Sequence, residues 1–216
     1  HYKDIARKIE KIHILFEAAG VEKGDRIALC GRNSSHWAVA MFATLAYGAV
    51  AVPVLHEFKA DNVHNIVNHS EAKLLCVGDM VWENLNDEMM PDLTGIILLN
   101  DFSVLKSKSK KLVEARQHLN ELFGKKYPER FSASDIKYHV DSPEELAIIN
   151  YTSGSTGFSK GVMLPYRALH ANLQFCVENL PWLKTGDNAV SMLPMAHMYG
   201  LMIELFNPFS KGCHIH

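Results

Sequence analysis

The sequence predicts a doubly wound α/β fold, with a mostly parallel sheet and helices on both faces. Segments with helical spacing of apolar residues alternate with short apolar runs, a pattern typical of βαβ units. The composition agrees, because 48% hydrophobic and 21% charged residues in a chain of 216 are typical of a globular protein with a core. Folds of this class bind ligands in the loops beyond the carboxyl ends of their strands.

The first hundred residues carry most of this alternation. One apolar helix face recurs at three and four residues and ends at Gly20; it consists of Ile5, Ile9, Ile12, Phe16 and Ala19. Short apolar runs predict strands at residues 26–30, 49–54, 73–77 and 95–99. Further helices are predicted from a cap at Asn33 or Ser34 to about Tyr47, over residues 61–69, and over 81–90 before Pro91.

The alternation breaks between residues 101 and 141, which divides the chain into a βαβ portion (1–100), a surface excursion (101–141) and a portion from 142 to 216. Four lysines (Lys106, Lys108, Lys110 and Lys111) lead into an amphipathic helix within the excursion. Such a stretch could contact an anionic membrane or a phosphate. A solvated surface is the simpler interpretation, and we favour it.

Charge, cysteines and the amino terminus exclude several classes of protein. A formal net charge of −2 gives no support for nucleic-acid binding. The four cysteines include no CxxC pair, which favours buried free thiols in a reducing cytoplasm. The opening residues lead directly into a helical pattern, so no signal peptide is expected. Residues 37–55 lack charge, but Gly48 and Pro53 favour a buried helix and strand over a membrane span.

A loop of small and hydroxyl residues follows the strand predicted at 147–151. Its glycines allow the backbone to approach a ligand closely, its hydroxyls and backbone N–H groups are donors, and Lys160 adds a positive charge. These residues are Thr152, Ser153, Gly154, Ser155, Thr156, Gly157, Lys160 and Gly161. A helix is predicted from about Pro165 to Asn179 directly after the loop. The pattern predicts a polyphosphate site.

Two other interpretations of the loop are weaker. It fails the Walker A pattern GxxxxGK[ST] at two positions, because Ser159 and Gly161 occupy the places of its second glycine and its hydroxyl residue. A flexible Ser/Gly linker is also disfavoured, since linkers rarely lie between a buried strand and a helix that begins at proline.

Residues 151–164, Tyr-Thr-Ser-Gly-Ser-Thr-Gly-Phe-Ser-Lys-Gly-Val-Met-Leu, resemble the phosphate loop of the adenylate-forming superfamily of acyl-CoA synthetases, peptide-synthetase adenylation domains and luciferases. Ser159 stands where that family usually has proline. Gly-Asp-Arg at 24–26, the Ala/Gly-rich stretch 45–53 and Leu-Pro-Met-Ala-His at 193–197 resemble further family segments. The last of these is closest to long-chain fatty-acyl-CoA synthetases, so the resemblance implies an incomplete N-terminal domain of such an enzyme.

The resemblance implies a two-step reaction with ATP, Mg²⁺ and coenzyme A. A fatty-acid carboxylate attacks the α-phosphorus of ATP, and the CoA thiol then attacks the acyl-AMP. Residues 153–157 and Lys160 would hold the β- and γ-phosphates, and Thr152 would face Mg²⁺. His197 would orient the acyl carboxylate and the α-phosphate. Lys160 and His197 are therefore the candidate catalytic residues.

Other features leave alternatives open. Four methionines near His197 (Met192, Met195, Met198 and Met202) suit either an acyl pocket or core packing. His214 and His216 alternate on a predicted strand, but a third metal ligand is not in view.

The family's adenine-binding, ribose-binding and C-terminal catalytic segments are not found in residues 1–216, so this stretch alone is expected to be inactive. The alternatives are a peptide-synthetase or aryl-acid adenylation domain, or a nucleotide-binding module without catalysis. The substrates would be small molecules, with peripheral membrane contact as an option. The sequence does not fix an oligomeric state.

Overall fold

Seven strands form one sheet that is parallel except at its two edges. The computed structural model describes residues 1–138, 142–152 and 160–216. The strands of this sheet are β1 (Arg26–Cys30), β2 (Val50–Val54), β3 (Ala72–Val77), β4 (Gly95–Leu98), β5 (Val104–Ser107), β6 (Leu146–Thr152) and β7 (Lys160–Pro165). Their spatial order is β5-β4-β3-β1-β2-β6-β7. A small parallel pair joins β8 (Asn188–Ala189) to β9 (His214–Ile215).

The helices connect these strands and cover both faces of the sheet. They are α1 (Tyr2–Ala18), α2 (Ser35–Ala46), α3 (Ala60–His69), α4 (Asp79–Trp82), α5 (Lys110–Gln117), α6 (Leu119–Lys126), α7 (Tyr166–Asn179) and α8 (Asn207–Lys211). A π-helix (Gly200–Phe206) runs directly into α8, and 3-10 turns lie at Asp87–Met89 and Ala133–Asp135. The predicted doubly wound α/β architecture is confirmed.

Strand β1 is the point where the chain reverses its direction of travel across the sheet. Its two parallel neighbours are β2 on one side and β3 on the other. The loops that leave β1 and β3 therefore diverge and open a crevice between them, the usual ligand position in such sheets. Because β6 is parallel to β2, the carboxyl ends of β1, β2 and β6 lie at the same edge of the sheet.

One face of the sheet is covered chiefly by α1 and α2. Trp37, Phe16 and Leu15 are fully buried there. Helix α2 begins where Ser34 Oγ accepts a hydrogen bond from the Trp37 backbone N–H at 3.0 Å, so Ser34 rather than Asn33 is the cap. The opposite face is covered by α3, whose Val63, Ile66 and Val67 pack in a second apolar cluster.

Two predicted segments differ from the structure. The helix predicted over residues 81–90 is replaced by α4 and a separate 3-10 turn, because Asn84 and Asn86 bond to backbone groups that a continuous helix would use. The stretch predicted as a surface excursion contributes to the fold. Strand β5 pairs antiparallel with β4, and Leu112 of α5 is fully buried against the first face.

The cysteines and the uncharged segment have ordinary structural roles. Cys30, Cys76 and Cys176 are buried, Cys213 is half-buried, and all four are free thiols. Burial raises the pKa of both Cys30 and Cys76 to about 12. The uncharged residues 37–55 form part of α2 and all of β2. Across the described residues, none of the helices combines the length and apolar character needed to cross a bilayer.

Candidate functional site

Thr152 and Lys160 lie side by side at the carboxyl edge of the sheet. Thr152 is the last residue of β6, Lys160 is the first of β7, and the two are paired directly across the antiparallel ladder. Both side chains are exposed. The candidates Ser153, Gly154, Ser155, Thr156 and Gly157 lie between them, outside the described residues. The chain thus presents a hydroxyl and an ammonium group at the two ends of the predicted phosphate loop.

The helix predicted after this loop is confirmed as α7, which begins at Tyr166. Residues 160–165, which were not predicted as a strand, form strand β7, an edge strand on β6. Val162, Met163 and Leu164 form a strand because β6 offers their backbone an unpaired edge. The segment between β6 and β7 therefore joins two antiparallel strands, unlike the strand-to-helix loop of a Walker A site.

Gly161 has a packing role that the sequence did not indicate. A Cβ atom at this position would lie 2.8 Å from Ile149 Cγ2 and 3.2 Å from Tyr151 Cζ. The absence of a side chain at Gly161 therefore allows the side chains of β6 to pack across β7. Tyr151 in turn is anchored, since its Oη lies 2.7 Å from His69 Nδ1 at the end of α3.

A side-chain contact joins strand β6 to the segment that carries His197. Asn150 Nδ2, two residues before Thr152, donates to the backbone carbonyl of Ala196 at 3.3 Å. Met195 and Ala196 are buried in the first apolar cluster, which fixes the segment against the sheet. His197 itself is exposed. The segment that carries His197 therefore lies against β6, near the end of that strand at which Thr152 pairs with Lys160.

The hydrogen bonds of His197 define which of its ring nitrogens can donate. Its Nδ1 accepts from the Tyr199 backbone N–H at 3.2 Å, so in the neutral ring the proton is on Nε2. Its own backbone N–H donates to Pro194 O at 2.9 Å and closes a turn. An exposed Nε2–H is suited to donate to an anionic oxygen.

Two side chains that sequence reasoning missed hold the residues before His197. Glu204 accepts hydrogen bonds from the backbone N–H groups of Met192 and Leu193, both at 2.8 Å. Asn33, in the loop after β1, bonds to three groups between Ser191 and Met195. Nothing in the spacing of the sequence indicates these pairs: Glu204 lies 12 and 11 positions from its partners, and Asn33 lies 158 to 162 positions from its own.

The remaining candidates do not form a common site. Met195 and Met202 are buried in the core, whereas Met192 is 82% exposed, so core packing accounts for the two buried methionines. His216 Nε2 lies 2.8 Å from Asn188 Oδ1. Within residues 1–138, 142–152 and 160–216, no three His, Cys, Asp or Glu side chains are grouped so that they could hold a metal ion.

A family model for AMP-binding enzymes matches residues 1–216, the whole chain. The chain belongs to this adenylate-forming family. Fatty acyl-CoA synthetase A of Dictyostelium discoideum is 29% identical over 203 residues, covering 92% of this chain and 29% of the relative. Human long-chain-fatty-acid–CoA ligase 1 is 27% identical over 219 residues, covering 94% of this chain and 30% of the relative. The chain thus spans about a third of each of these curated relatives.

The solved structures of family members have the same fold. The anthranilate CoA ligase AuaEII in complex with anthranoyl-AMP superposes with a TM-score of 0.79 at 18% identity, over 98% of this chain and 38% of that one. ATP-bound MatB from Rhodopseudomonas palustris superposes with a TM-score of 0.75 at 21% identity, over 100% of this chain and 39% of that one. At these identities the similarity establishes the fold alone.

Proposed function

We propose that this chain is the N-terminal part of a ligase that activates a fatty acid with ATP and transfers the acyl group to coenzyme A. The observation that carries the proposal is the hydrogen bond from Asn150 to Ala196. It connects the strand that leads into a glycine- and hydroxyl-rich loop with the turn that presents His197. A polyphosphate-binding stretch after β6, with the Nε2–H of His197 as a separate donor, would suit a reaction at the α-phosphate.

The residues at the carboxyl edge fit the triphosphate of ATP. Thr152 and Lys160 are exposed and adjacent across the strand pair, and the intervening sequence supplies four hydroxyls and two glycines. Such donors suit several negative oxygens within a small volume. The fit to Mg²⁺ is partial: Thr152 supplies one hydroxyl, and carboxylate or phosphate oxygens would complete the coordination. When bound, Mg²⁺ would neutralise charge on the phosphates.

In the first step two anions must meet, the acyl carboxylate and the α-phosphate. The carboxylate oxygen bonds to the α-phosphorus, and the bond to the bridging oxygen breaks, which releases pyrophosphate. Lys160 would stabilise the negative charge that develops on the leaving group. The Nε2–H of His197 would donate to an oxygen of the carboxylate or α-phosphate and so orient the two reactants. The CoA thiol then displaces AMP from the acyl-AMP.

The fatty acid is proposed from the relatives, whose names include fatty acyl-CoA synthetases and long-chain-fatty-acid–CoA ligases. A second acceptor has specific support. Fatty acid–[acyl-carrier-protein] ligase ScoC of Streptomyces coeruleorubidus is 30% identical over 206 residues, covering 93% of this chain and 35% of the relative. A carrier-protein thiol is therefore the alternative to CoA.

The test is ATP–pyrophosphate exchange by the full-length protein with palmitate, with an aryl acid such as anthranilate, and with amino acids. Exchange that depends on palmitate, followed by AMP release on addition of CoA, supports the proposal. If exchange occurs only with an aryl or amino acid, that acid and not a fatty acid is the substrate. If AMP is released only with a carrier protein, that protein and not CoA is the acceptor.

A Gly157→Val variant should lose exchange, because a side chain would exclude phosphate. Residues 1–216 alone should form no acyl-AMP.

A further inference from the structure

The segment from Ser191 to His197 has almost no regular structure of its own, yet it carries the exposed histidine. It pairs with β9 only at its start, where the Ser191 N–H donates to His216 O at 2.8 Å. From Met192 to Ala196 its described hydrogen bonds to other parts of the chain come from the side chains of Asn33, Asn150 and Glu204. The position of His197 therefore depends on side chains that belong to other parts of the fold.

Asn33 makes the most extensive of these contacts. Its Oδ1 accepts from the Met195 backbone N–H at 2.8 Å, and its Nδ2 donates to Leu193 O at 2.7 Å and to Ser191 Oγ at 3.1 Å. The carboxamide thus pairs with the chain on both sides of Pro194, as another peptide group would. Pro194 has no N–H to offer, so the flanking groups are the ones available for such pairing.

The contacts continue from Pro194 to the histidine. Pro194 O accepts the His197 backbone N–H at 2.9 Å, and His197 O accepts that of Leu201 at 2.8 Å. The packing around this carbonyl is tight, because a Cβ at Gly200 would lie 2.4 Å from Pro194 O. A displacement of residues 193–195 would therefore be passed on to His197, since little free space could absorb it.

The position of Asn33 in the fold explains how it reaches this segment. It follows β1, the strand at which the chain reverses its direction across the sheet. Because the next residue, Ser34, caps α2, the side-chain amide of Asn33 can bond to another segment. Helix α2 is rigidly held, since Trp37 and Met41 are fully buried. Asn33 is thus a fixed point at the carboxyl edge from which a distant segment can be oriented.

We propose that Asn33 is a positioning residue that sets the location of His197 through its paired hydrogen bonds to Leu193 and Met195. The role rests on the proposed function of His197 and assigns to Asn33 an effect that acts through His197. It predicts that Asn33 matters to the reaction only while His197 is present.

The test is a double-mutant cycle in the full-length protein, followed by ATP–pyrophosphate exchange. Asn33→Ala should lower kcat/KM for the acid by about tenfold or more, since a misplacement of about 1 Å can cost that much. In a His197→Ala background the same change should cost less than about twofold, because the two residues act as one unit. An equal loss in both backgrounds would overturn the proposal and indicate a general structural role.

Two variants serve as comparisons. Asn33→Asp keeps the shape and the acceptor but cannot donate to Leu193 O, so it should be at least as impaired as Asn33→Ala. Asn68→Ala removes a similar bond, from Asn68 Nδ2 to Met89 O at 2.8 Å, on the opposite face, and should behave as wild type. Full activity of Asn33→Asp would contradict the pairing.

A second measurement does not depend on catalysis. Amide hydrogen exchange of the peptide containing Met195 and His197 should be about tenfold faster in Asn33→Ala than in wild type or Asn68→Ala. Unchanged exchange would overturn the role of Asn33, whatever the activity. If the wild-type protein shows no pyrophosphate exchange with any of the acids tested, the proposed function fails. The hydrogen-exchange rates of Asn33→Ala and wild type still decide whether Asn33 holds the segment.

Discussion

Replacing Lys160 with alanine should impair catalysis while leaving stability nearly unchanged. Lys160 is exposed at the start of an edge strand, and no ion pair ties it to another residue of the described chain. Its truncation should therefore change the free energy of unfolding by less than about 0.5 kcal/mol, as is usual for surface positions.

The expected loss of activity follows from the charge that is removed. Two unit charges about 4 Å apart interact by about 4 kcal/mol at an effective dielectric constant near 20, and solvent screening reduces this. We expect the transition state to lose about 2–4 kcal/mol, the scale measured for single preorganised donors. That corresponds to a decrease of about 30- to 900-fold in kcat/KM.

The assay is ATP–pyrophosphate exchange by the full-length protein, with chemical denaturation of the same samples. Lys111→Ala is the matched control, because this exposed lysine lies in α5 at the opposite end of the sheet. Lys160→Arg should retain part of the activity, since it keeps the charge with a different shape. Exchange at the wild-type rate in Lys160→Ala would remove this lysine from the mechanism.

Four further variants test separate parts of the structure. His197→Ala should lower kcat more than it raises the KM for ATP, and the opposite result would contradict an orienting role. Gly161→Val should destabilise the fold by about 1–3 kcal/mol in denaturant unfolding, because its side chain would collide with Ile149. Leu112→Ala should cost about 2–5 kcal/mol if α5 belongs to the core, and a loss below 1 kcal/mol would contradict its burial. Burial lowers the pKa of His13, so its contribution to the free energy of unfolding should be fully present above about pH 6.5, the ordinary pKa in unfolded chains, and should be lost as the pH falls towards the lowered pKa. In His13→Gln, the difference between the free energies of unfolding measured at pH 7.5 and at pH 5.5 should therefore be smaller.

The helices and parallel strands could be predicted because their signals are local. Strand β1 coincides with the predicted residues 26–30, and α3 begins within one residue of its prediction. Buried parallel strands appear as short continuous apolar runs, and capping residues mark the ends of the helices between them. The prediction of a phosphate loop at residues 152–161 also came from a local signal, because their composition is unusual over a short window.

The edges of the sheet could not be predicted in this way. Val162, Met163 and Leu164 are an apolar run before a helix, and only the free edge of β6 makes them a strand. Similarly, β5 lies in a lysine-rich stretch whose pattern indicates a solvated surface, yet β4 supplies a partner for its backbone. Edge strands depend on an available neighbour more than on their own side chains.

The sequence by itself determined the α/β class, the order of its elements, and the residue types at the phosphate loop and around His197. The tertiary structure decided which of the distant segments contact each other and through which side chains. Asn33 bonds to Met195 across 162 positions, and Asn150 bonds to Ala196 across 46. A single hydrogen bond between distant residues produces no periodic pattern in the sequence, so it cannot be predicted from that pattern. It forms only when the folded sheet brings the carboxyl ends of its strands together.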